Sequence, residues 1–152
     1  MLGVELTSAQ VTLYVDRAFQ QMLAVAERLG DARASERPIG PSTNSVAALI
    51  AHCAGVCEFW LGHVGLGRAD HRDRDAEFTA TATVAELRAL VAASLARASA
   101  DLAALDGATV SPHEADVFRA VSDNPTGLAL KVIEELYQHL GHCELAADAL
   151  LG

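Results

Sequence analysis

Apolar residues recur three and four positions apart along three long stretches of the chain, and this spacing is typical of amphipathic α-helices. The first stretch follows a threonine and a serine that can cap a helix, and the second begins at a capping box in which Thr83 precedes Glu86 by three residues. The third follows a proline, which suits the first turn of a helix. The predicted helices run from Thr7 or Ser8 to Gly30, from Thr83 to Leu105, and from Pro125 to Leu150 or Leu151.

A fourth stretch is apolar over most of a helical circumference. It begins between Asn44 and Val46 and continues to Gly65 or Gly67. A helix that presents apolar residues on nearly every side is typical of the buried centre of a helical protein. We therefore expect this helix, the second in chain order, to be the central one.

Three connecting segments lack a helical apolar stripe. Residues 31–44 contain two prolines and a glycine, and residues 68–78 carry charges of alternating sign, so both segments are predicted loops. Residues 106–124 form a long connection in which a short helical turn is predicted around Glu114 to Val121. Because no strand pattern is apparent, the predicted fold class is all-α, a four-helix bundle with long connections between helices.

The composition favours one soluble domain over residues 1–152. The chain of 152 residues is 51% apolar, which is enough for a full-sized core. Its formal net charge of -9 opposes a phosphate-binding surface, so nucleic acid is not an expected partner. We expect no apolar run long enough to span a membrane, and the N-terminus lacks the pattern of a signal peptide. The sequence therefore predicts a cytoplasmic protein without a membrane partner.

The chain has three cysteines, two of which are spaced four apart on the predicted second helix. An odd count in a predicted cytoplasmic protein argues against disulfides. The pattern C-x-x-x-C can bind metal, but Cys53, Cys57 and Cys143 all lie in apolar surroundings. Buried packing cysteines are the interpretation that this setting favours.

Two side chains that commonly bind metal lie four residues apart on the last predicted helix. Glu135 and His139 project from one face of that helix, and the same face carries apolar residues that point towards the interior. A bundle can bring His52 of the second helix opposite this pair. Two imidazoles and one carboxylate suit zinc or nickel, and three protein ligands leave positions for water or substrate. The spacing alone also fits an ordinary stabilising pair and a hydrogen-bonded core histidine.

Three stretches of the chain resemble the DinB/YfiT-like superfamily, and within it the mycothiol-transferase branch related to mycothiol-dependent maleylpyruvate isomerase. The stretches occur in the family's order and separation from about residue 40 to the C-terminus. They are Ser-Thr-Asn-Ser-Val-Ala-Ala-Leu-Ile-Ala-His at 42–52 with Gly-Val-Cys-Glu-Phe-Trp at 55–60, Arg-Asp-Arg-Asp-Ala-Glu-Phe at 72–78, and Glu-Glu-Leu-Tyr-Gln-His-Leu-Gly-His at 134–142.

This resemblance implies a four-helix bundle with a divalent metal held by His52, Glu135 and His139. Many relatives carry histidine in place of Glu135, and close relatives often carry histidine in place of Lys131. A cation at position 131 can pair with Glu135 and compete with the metal for it. The implied activity is that of an S-transferase or isomerase in which the metal lowers the pKa of a mycothiol-type thiol that attacks an electrophilic substrate.

Further residues are weaker candidates. His142 lies three residues after His139 and is either a residue that contacts the metal ligands or the substrate, or a solvated surface histidine. Lys131 is likewise a candidate contact of the ligands or the substrate. Because the resemblance includes the charged loop, Arg72 or Arg74 is a candidate contact for an anionic thiol cofactor, although both also fit a solvated ion-pair loop. The alternatives for function are a metal-dependent hydrolase and a non-catalytic, stress-related binding module with a decayed metal site. A homodimer through an exposed helix face is also plausible for a bundle of this size.

Overall fold

The computed structural model describes residues 5–110 and 123–152. Its helices are α1 (Ser8–Ala34), α2 (Val46–Cys57), a π-helical continuation of α2 (Glu58–Gly65), α3 (Arg74–Thr79), α4 (Val84–Leu105) and α5 (Pro125–Leu151). Because neither described range contains a strand, the all-α class is confirmed for them. The four-helix bundle arrangement and the single domain stay predictions.

Helix α1 begins where the sequence predicts and extends past its predicted end. The Thr7 hydroxyl accepts a hydrogen bond from the Gln10 amide, and the Gln10 side chain accepts one from the Thr7 amide. These two bonds complete a capping box. Gly30 has a φ of 69°, which glycine adopts at little cost, and it kinks the helix. A further turn ends at Ala34, which is buried in the core.

Helix α2 starts at a serine cap and contacts every other helix named above. The Ser45 hydroxyl accepts a hydrogen bond from the Ala48 amide at 3.1 Å. Most side chains of α2 are buried, which agrees with its all-round apolar pattern. The helix packs against α1, α3, α4 and α5. Its second half was predicted as ordinary helix but has wider π-helical turns from Glu58 to Gly65.

The length of this central helix corrects one expectation. By length and composition alone, Val46–Gly65 is apolar enough to cross a membrane, whereas the sequence was expected to contain no such segment. Within this helix, 61% of the most apolar window is buried inside the protein. A core helix surrounded by other helices passes the same test as a membrane span, because both need apolar residues on all sides.

Helix α3 corrects the predicted loop at residues 68–78. The Asp73 carboxylate caps this helix by accepting a hydrogen bond from the Ala76 amide at 2.9 Å. None of the residues in Arg74–Thr79 is fully buried, so the helix has no apolar stripe that periodicity could detect. The cap and the acidic first turn were the only local signals of it. This short helix packs against α2 and contributes to the candidate site.

Helices α4 and α5 begin at the predicted residues. Thr83 and Glu86 form the predicted capping box of α4. The Asn124 side chain caps α5 by accepting a hydrogen bond from the Gly127 amide at 2.8 Å, and Pro125 occupies the first turn. Helix α1 packs against both α4 and α5. The helical turn predicted around Glu114 to Val121 lies outside the described residues.

The three cysteines are buried and free, which confirms their interpretation as packing residues. Burial raises the pKa of the Cys57 and Cys143 thiols to about 12 and also raises that of Cys53. A thiol with a raised pKa is a poor metal ligand and a poor nucleophile near neutral pH.

Candidate metal centre

Helices α2 and α5 bring together the three side chains that the sequence singles out as metal ligands. His52 comes from α2, and Glu135 and His139 come from α5. One ligand atom from each side chain lies within 4.8 Å of those of the other two. Among the described residues this is the group of three whose geometry can hold a metal ion.

The distances within this group fit a small divalent cation. Glu135 Oε2 lies 3.5 Å from His139 Nε2 and 3.9 Å from His52 Nε2. The two imidazole rings meet edge to face, with their centroids 4.7 Å apart. A tetrahedral zinc ion with bonds of about 2.0–2.1 Å holds its ligands about 3.3 Å apart. Small side-chain adjustments would therefore bring all three donors to bonding distance, and the donor set of two nitrogens and one oxygen suits zinc or nickel.

The group is buried on the α2 side and partly open on the α5 side. The His52 side chain is only 4% exposed, whereas those of His139 and Glu135 are 13% and 21% exposed. A cation between them would have protein on one side and access from solvent on the other. Such access is required for a ligand or substrate to reach it.

Lys131 contacts Glu135, as the sequence suggested. Its Nζ lies 2.7 Å from Glu135 Oε1 and donates a hydrogen bond to Glu134 Oε2 at 2.8 Å. Burial alone would lower the pKa of Lys131, but the two carboxylates raise it above its ordinary value. The two oxygens of Glu135 therefore have different neighbours: Oε1 faces the ammonium group and Oε2 faces the imidazoles.

The same neighbours stabilise the ionised form of Glu135. The adjacent imidazole of His139, together with the Lys131 ammonium, lowers the pKa of Glu135 well below its usual range, although burial opposes the shift. A carboxyl group must be ionised to bind a cation well. The lowered pKa therefore favours the form of Glu135 that can bind a cation.

Glu77 of α3 is a site residue that the sequence reasoning did not identify. Its Oε2 lies 3.0 Å from Nδ1 of His52, on the side of the ring away from Glu135. Arg72 donates to both Glu77 oxygens, from Nε at 2.7 Å and from Nη2 at 2.9 Å. Glu77 lies inside the stretch that resembles the family, but neither its spacing nor its charge distinguished it from the neighbouring acids. Its partner His52 is 25 residues away in the sequence.

The two arginines predicted to contact a thiol cofactor have different surroundings. Arg72 is bound to Glu77, and its guanidinium also lies 5.8 Å from the centre of the Phe59 ring. Arg74 is exposed, with its guanidinium 5.8 Å from the centre of the Phe78 ring. Phe78 in turn stacks on His52 at 4.6 Å. The Phe78 ring thus lies between Arg74 and the candidate ligand His52, and the cofactor contact stays a prediction for both arginines.

His142 contacts the candidate ligand His139. The two Nδ1 atoms are 3.3 Å apart, so one ring can donate a hydrogen bond to the other. His142 is exposed and also lines a cavity of about 270 Å³ with mostly apolar walls. The other residues that line this cavity are Pro38, Ile39, Thr43, Asn44, Leu49, Leu145 and Ala146. The structure thus places His142 between His139 and this cavity.

Comparison with known proteins gives one family match. The sequence model of the DinB superfamily matches residues 14–143, which is most of the chain and includes all three candidate ligands. Comparison with curated proteins and with solved structures gives no match.

Proposed function

Because the chain belongs to the DinB superfamily, we propose that it holds a divalent metal ion through His52, Glu135 and His139 and acts as a thiol-dependent S-transferase or isomerase. The observation that supports this function is the convergence of the three donors within 4.8 Å. The mycothiol-transferase branch, the mycothiol-type thiol and the choice between zinc and nickel are part of the proposal. A divalent cation held there would lower the pKa of a thiol that binds beside it and so make that thiol a nucleophile.

Each protein ligand has a defined role in this proposal. His52 is buried, and Glu77 of α3 contacts its Nδ1, so His52 would anchor the cation to the core. Glu135 supplies the negative charge through Oε2, while Lys131 neutralises Oε1 and favours binding through one oxygen. His139 completes the set from the more open side, with His142 against its Nδ1. Three protein ligands leave the remaining positions to the thiol.

The surroundings of the ligand group offer places for two reactants. The exposed guanidinium of Arg74 is the better placed of the two candidate contacts for an anionic thiol cofactor, because Arg72 already binds Glu77. The apolar cavity beside His142 has room for a small electrophilic substrate. A cytoplasmic location would suit such a reaction, because low-molecular-weight thiols stay reduced there. The proposal includes neither a nucleic-acid nor a membrane partner, and it leaves a homodimer open to test.

The first experiment measures bound metal. Protein purified without chelator should contain about one equivalent of zinc or nickel, or should take up one on titration, and His139→Ala should lower the affinity at least about 100-fold because it removes a ligand. Less than about a tenth of an equivalent, unchanged by added zinc or nickel and by His139→Ala, would refute the metal centre. His63→Ala, on the π-helical segment outside the ligand group, is the matched control.

The second experiment separates two metal-dependent chemistries. Metal-loaded protein is assayed with electrophilic substrates in the presence and absence of a low-molecular-weight thiol. We expect turnover to require the thiol and to be lost in His139→Ala. Turnover of ester or amide substrates without thiol would instead support the metal-dependent hydrolase, in which the cation lowers the pKa of water.

The contact between Lys131 and Glu135 favours a second candidate function, a non-catalytic, stress-related binding module with a decayed metal site. At 2.7 Å the ammonium is already a cation on the ligand carboxylate. If this module is the true function, Lys131→His should raise zinc affinity by at least about tenfold, because a competitor becomes a ligand. An unchanged affinity in that variant would count against the decayed site.

A further inference from the structure

We propose that Glu77, held by Arg72, is a positioning residue that fixes His52 in the tautomer with a proton on Nδ1 and a lone pair on Nε2. This inference rests on the proposed function and deepens it, because Nε2 is the ring nitrogen that lies 3.9 Å from Oε2 of the candidate ligand Glu135. In the other tautomer Nε2 would carry the proton and could not bind a cation. The choice of tautomer thus decides whether His52 is a ligand.

The carboxylate of Glu77 is arranged to accept the Nδ1 proton. It lies 3.0 Å from Nδ1, and the Glu77 side chain is only 11% exposed. Arg72 binds both carboxylate oxygens, so the carboxylate cannot rotate away from the ring without breaking two charge-assisted hydrogen bonds. A carboxylate that supports a metal-binding histidine in this way is a common arrangement and raises the basicity of the opposite ring nitrogen.

Arg72 competes with Glu77 for Nδ1 of His52. Its Nη2 lies 3.1 Å from His52 Nδ1 and could donate to a lone pair there, which would force the proton onto Nε2. That tautomer would place the Nδ1 lone pair 3.0 Å from the carboxylate oxygen Oε2, and the two acceptors would repel each other. Nη2 also already donates to that oxygen at 2.9 Å. The Nδ1–H form satisfies the Glu77 carboxylate at 3.0 Å and avoids this repulsion. Glu135 Oε2 is the competing acceptor at the other ring nitrogen, but at 3.9 Å from Nε2 it is too far away to accept a hydrogen bond from it.

Gly55 provides the space for this arrangement. It lies three residues after His52 on α2, and a Cβ atom added there would overlap Glu77 Oε1 and would lie 3.0 Å from Arg72 Nε. Glycine inside a helix is less favourable than alanine. At this position the missing side chain lets the carboxylate lie against the helix and reach the ring. Phe78, the residue after Glu77, stacks on the face of the same ring at 4.6 Å.

The test reads the tautomer directly in metal-free protein. Histidine labelled with ¹⁵N is observed over a series of alkaline pH values, and the form of the ring that carries a single proton is analysed. Long-range ¹H–¹⁵N spectra then show which ring nitrogen carries the proton, and His52→Gln assigns the signal. We expect wild-type His52 to be protonated on Nδ1. Glu77→Ala should shift the proton towards Nε2 or give a mixture of the two tautomers. Glu77→Gln should retain the proton on Nδ1, because its amide oxygen can still accept a hydrogen bond. Asp75→Asn on the same helix is the control and should leave the tautomer unchanged.

Two results would overturn the positioning role. One is a wild-type His52 protonated on Nε2, which would mean that Glu77 does not hold the proton on Nδ1. The other is an Nδ1–H form that persists unchanged in Glu77→Ala. Gly55→Ala provides a second route if Glu77→Ala does not fold, because it displaces the carboxylate while both charges remain, and it should change the tautomer in the same direction.

Zinc affinity gives an independent second measurement. We expect Glu77→Ala to weaken zinc binding about 10- to 100-fold and Glu77→Gln to recover part of the loss. A protein that binds no zinc but shows an Nδ1–H form dependent on Glu77 would refute the metal centre and uphold the positioning. A protein that binds zinc with a tautomer indifferent to Glu77 would refute the positioning and uphold the metal centre.

Discussion

Two arginine–carboxylate pairs pack against the central helix, and each lies over a glycine. Arg72 binds Glu77 over Gly55, and Arg68 binds Asp101 over Gly62, where an added Cβ would overlap the Arg68 guanidinium. In both places the helix lacks a side chain where a charged group approaches its backbone. An arginine–carboxylate pair over a helix glycine thus occurs twice. One is at the candidate metal centre, and the other is in a second cluster formed by Glu58, Arg68 and Asp101, here called the Arg68 cluster.

The two regions differ in whether the carboxylate also contacts a candidate metal ligand. Both Asp101 oxygens accept from Arg68, at 2.6 and 3.2 Å, and Arg68 also donates to Glu58 at 2.8 Å. These bonds raise the pKa of Arg68 above its already high ordinary value. They join α4 to the π-helical segment. Glu77, in contrast, presents one oxygen to an imidazole that faces two further donor side chains. At the Arg68 cluster the ion pairs therefore join structural elements, whereas at the candidate metal centre the carboxylate of the ion pair also contacts a candidate ligand.

The largest expected effect is on stability at the Arg68 cluster. Asp101→Ala leaves Arg68 without its main partner, and we expect a loss of about 2–3 kcal/mol in the free energy of unfolding. Urea unfolding measures this loss. Zinc bound per folded molecule should not change. Glu27→Ala is the control, because it removes an exposed ion pair with Arg88 and should cost less than about 1 kcal/mol. Equal losses in the two variants would contradict the role of Asp101 as a clamp.

The two glycines provide a matched pair of substitutions with a smaller effect. Gly55→Ala should weaken zinc binding about tenfold, because the new methyl group displaces Glu77. Gly62→Ala should instead lower stability by about 1 kcal/mol with zinc affinity unchanged.

Gly141→Ala in α5, where an added Cβ meets no atom within 4 Å, is the control for both substitutions and should stabilise the protein by roughly 0.5–1 kcal/mol. If Gly62→Ala weakened zinc binding as much as Gly55→Ala does, the distinction between the two regions would fail.

The smallest expected effect is a pH dependence at the candidate metal centre. The pKa of Glu135 is lowered in the folded protein, chiefly by His139 and also by Lys131. Its stabilising contribution is therefore fully present above its ordinary pKa of 4.5 and is lost as the pH falls through the lower folded value.

In chelator-treated protein, the wild type should exceed Glu135→Gln in unfolding free energy by about 1 kcal/mol from pH 7 to about pH 5, and by less at lower pH. Urea unfolding at several pH values measures the difference. A difference that grows in acid would contradict the lowered pKa.

Local sequence signals predicted the long helices and two of the three candidate metal ligands. The capping box at Thr83, the proline at 125 and the apolar spacing set the starts of α4 and α5, because these signals act within one or two turns. Glu135 and His139 were found in the same way, four residues apart on one helix face. His52 required the additional expectation that its helix faces theirs.

The parts that the sequence did not predict depend on contacts between distant residues. Helix α3 has no buried stripe, so periodicity could not reveal it. Glu77 was one acid among several until the fold placed it 3.0 Å from His52. The apolar spacing from Glu58 to Gly65 likewise does not differ from that of an ordinary α-helix, so it could not predict the π-helical turns. Gly55 gave no signal either, because its role is defined by the groups that fill its space.

The most direct test of the metal centre is a crystal of the protein grown with zinc and measured at the zinc absorption edge. One anomalous difference peak is predicted between α2 and α5, about 2.0–2.2 Å from His52 Nε2, Glu135 Oε2 and His139 Nε2. His139→Ala crystals should lose this peak. Absence of a peak in crystals grown at a saturating zinc concentration, or a peak only at exposed carboxylates elsewhere on the surface, would contradict the account.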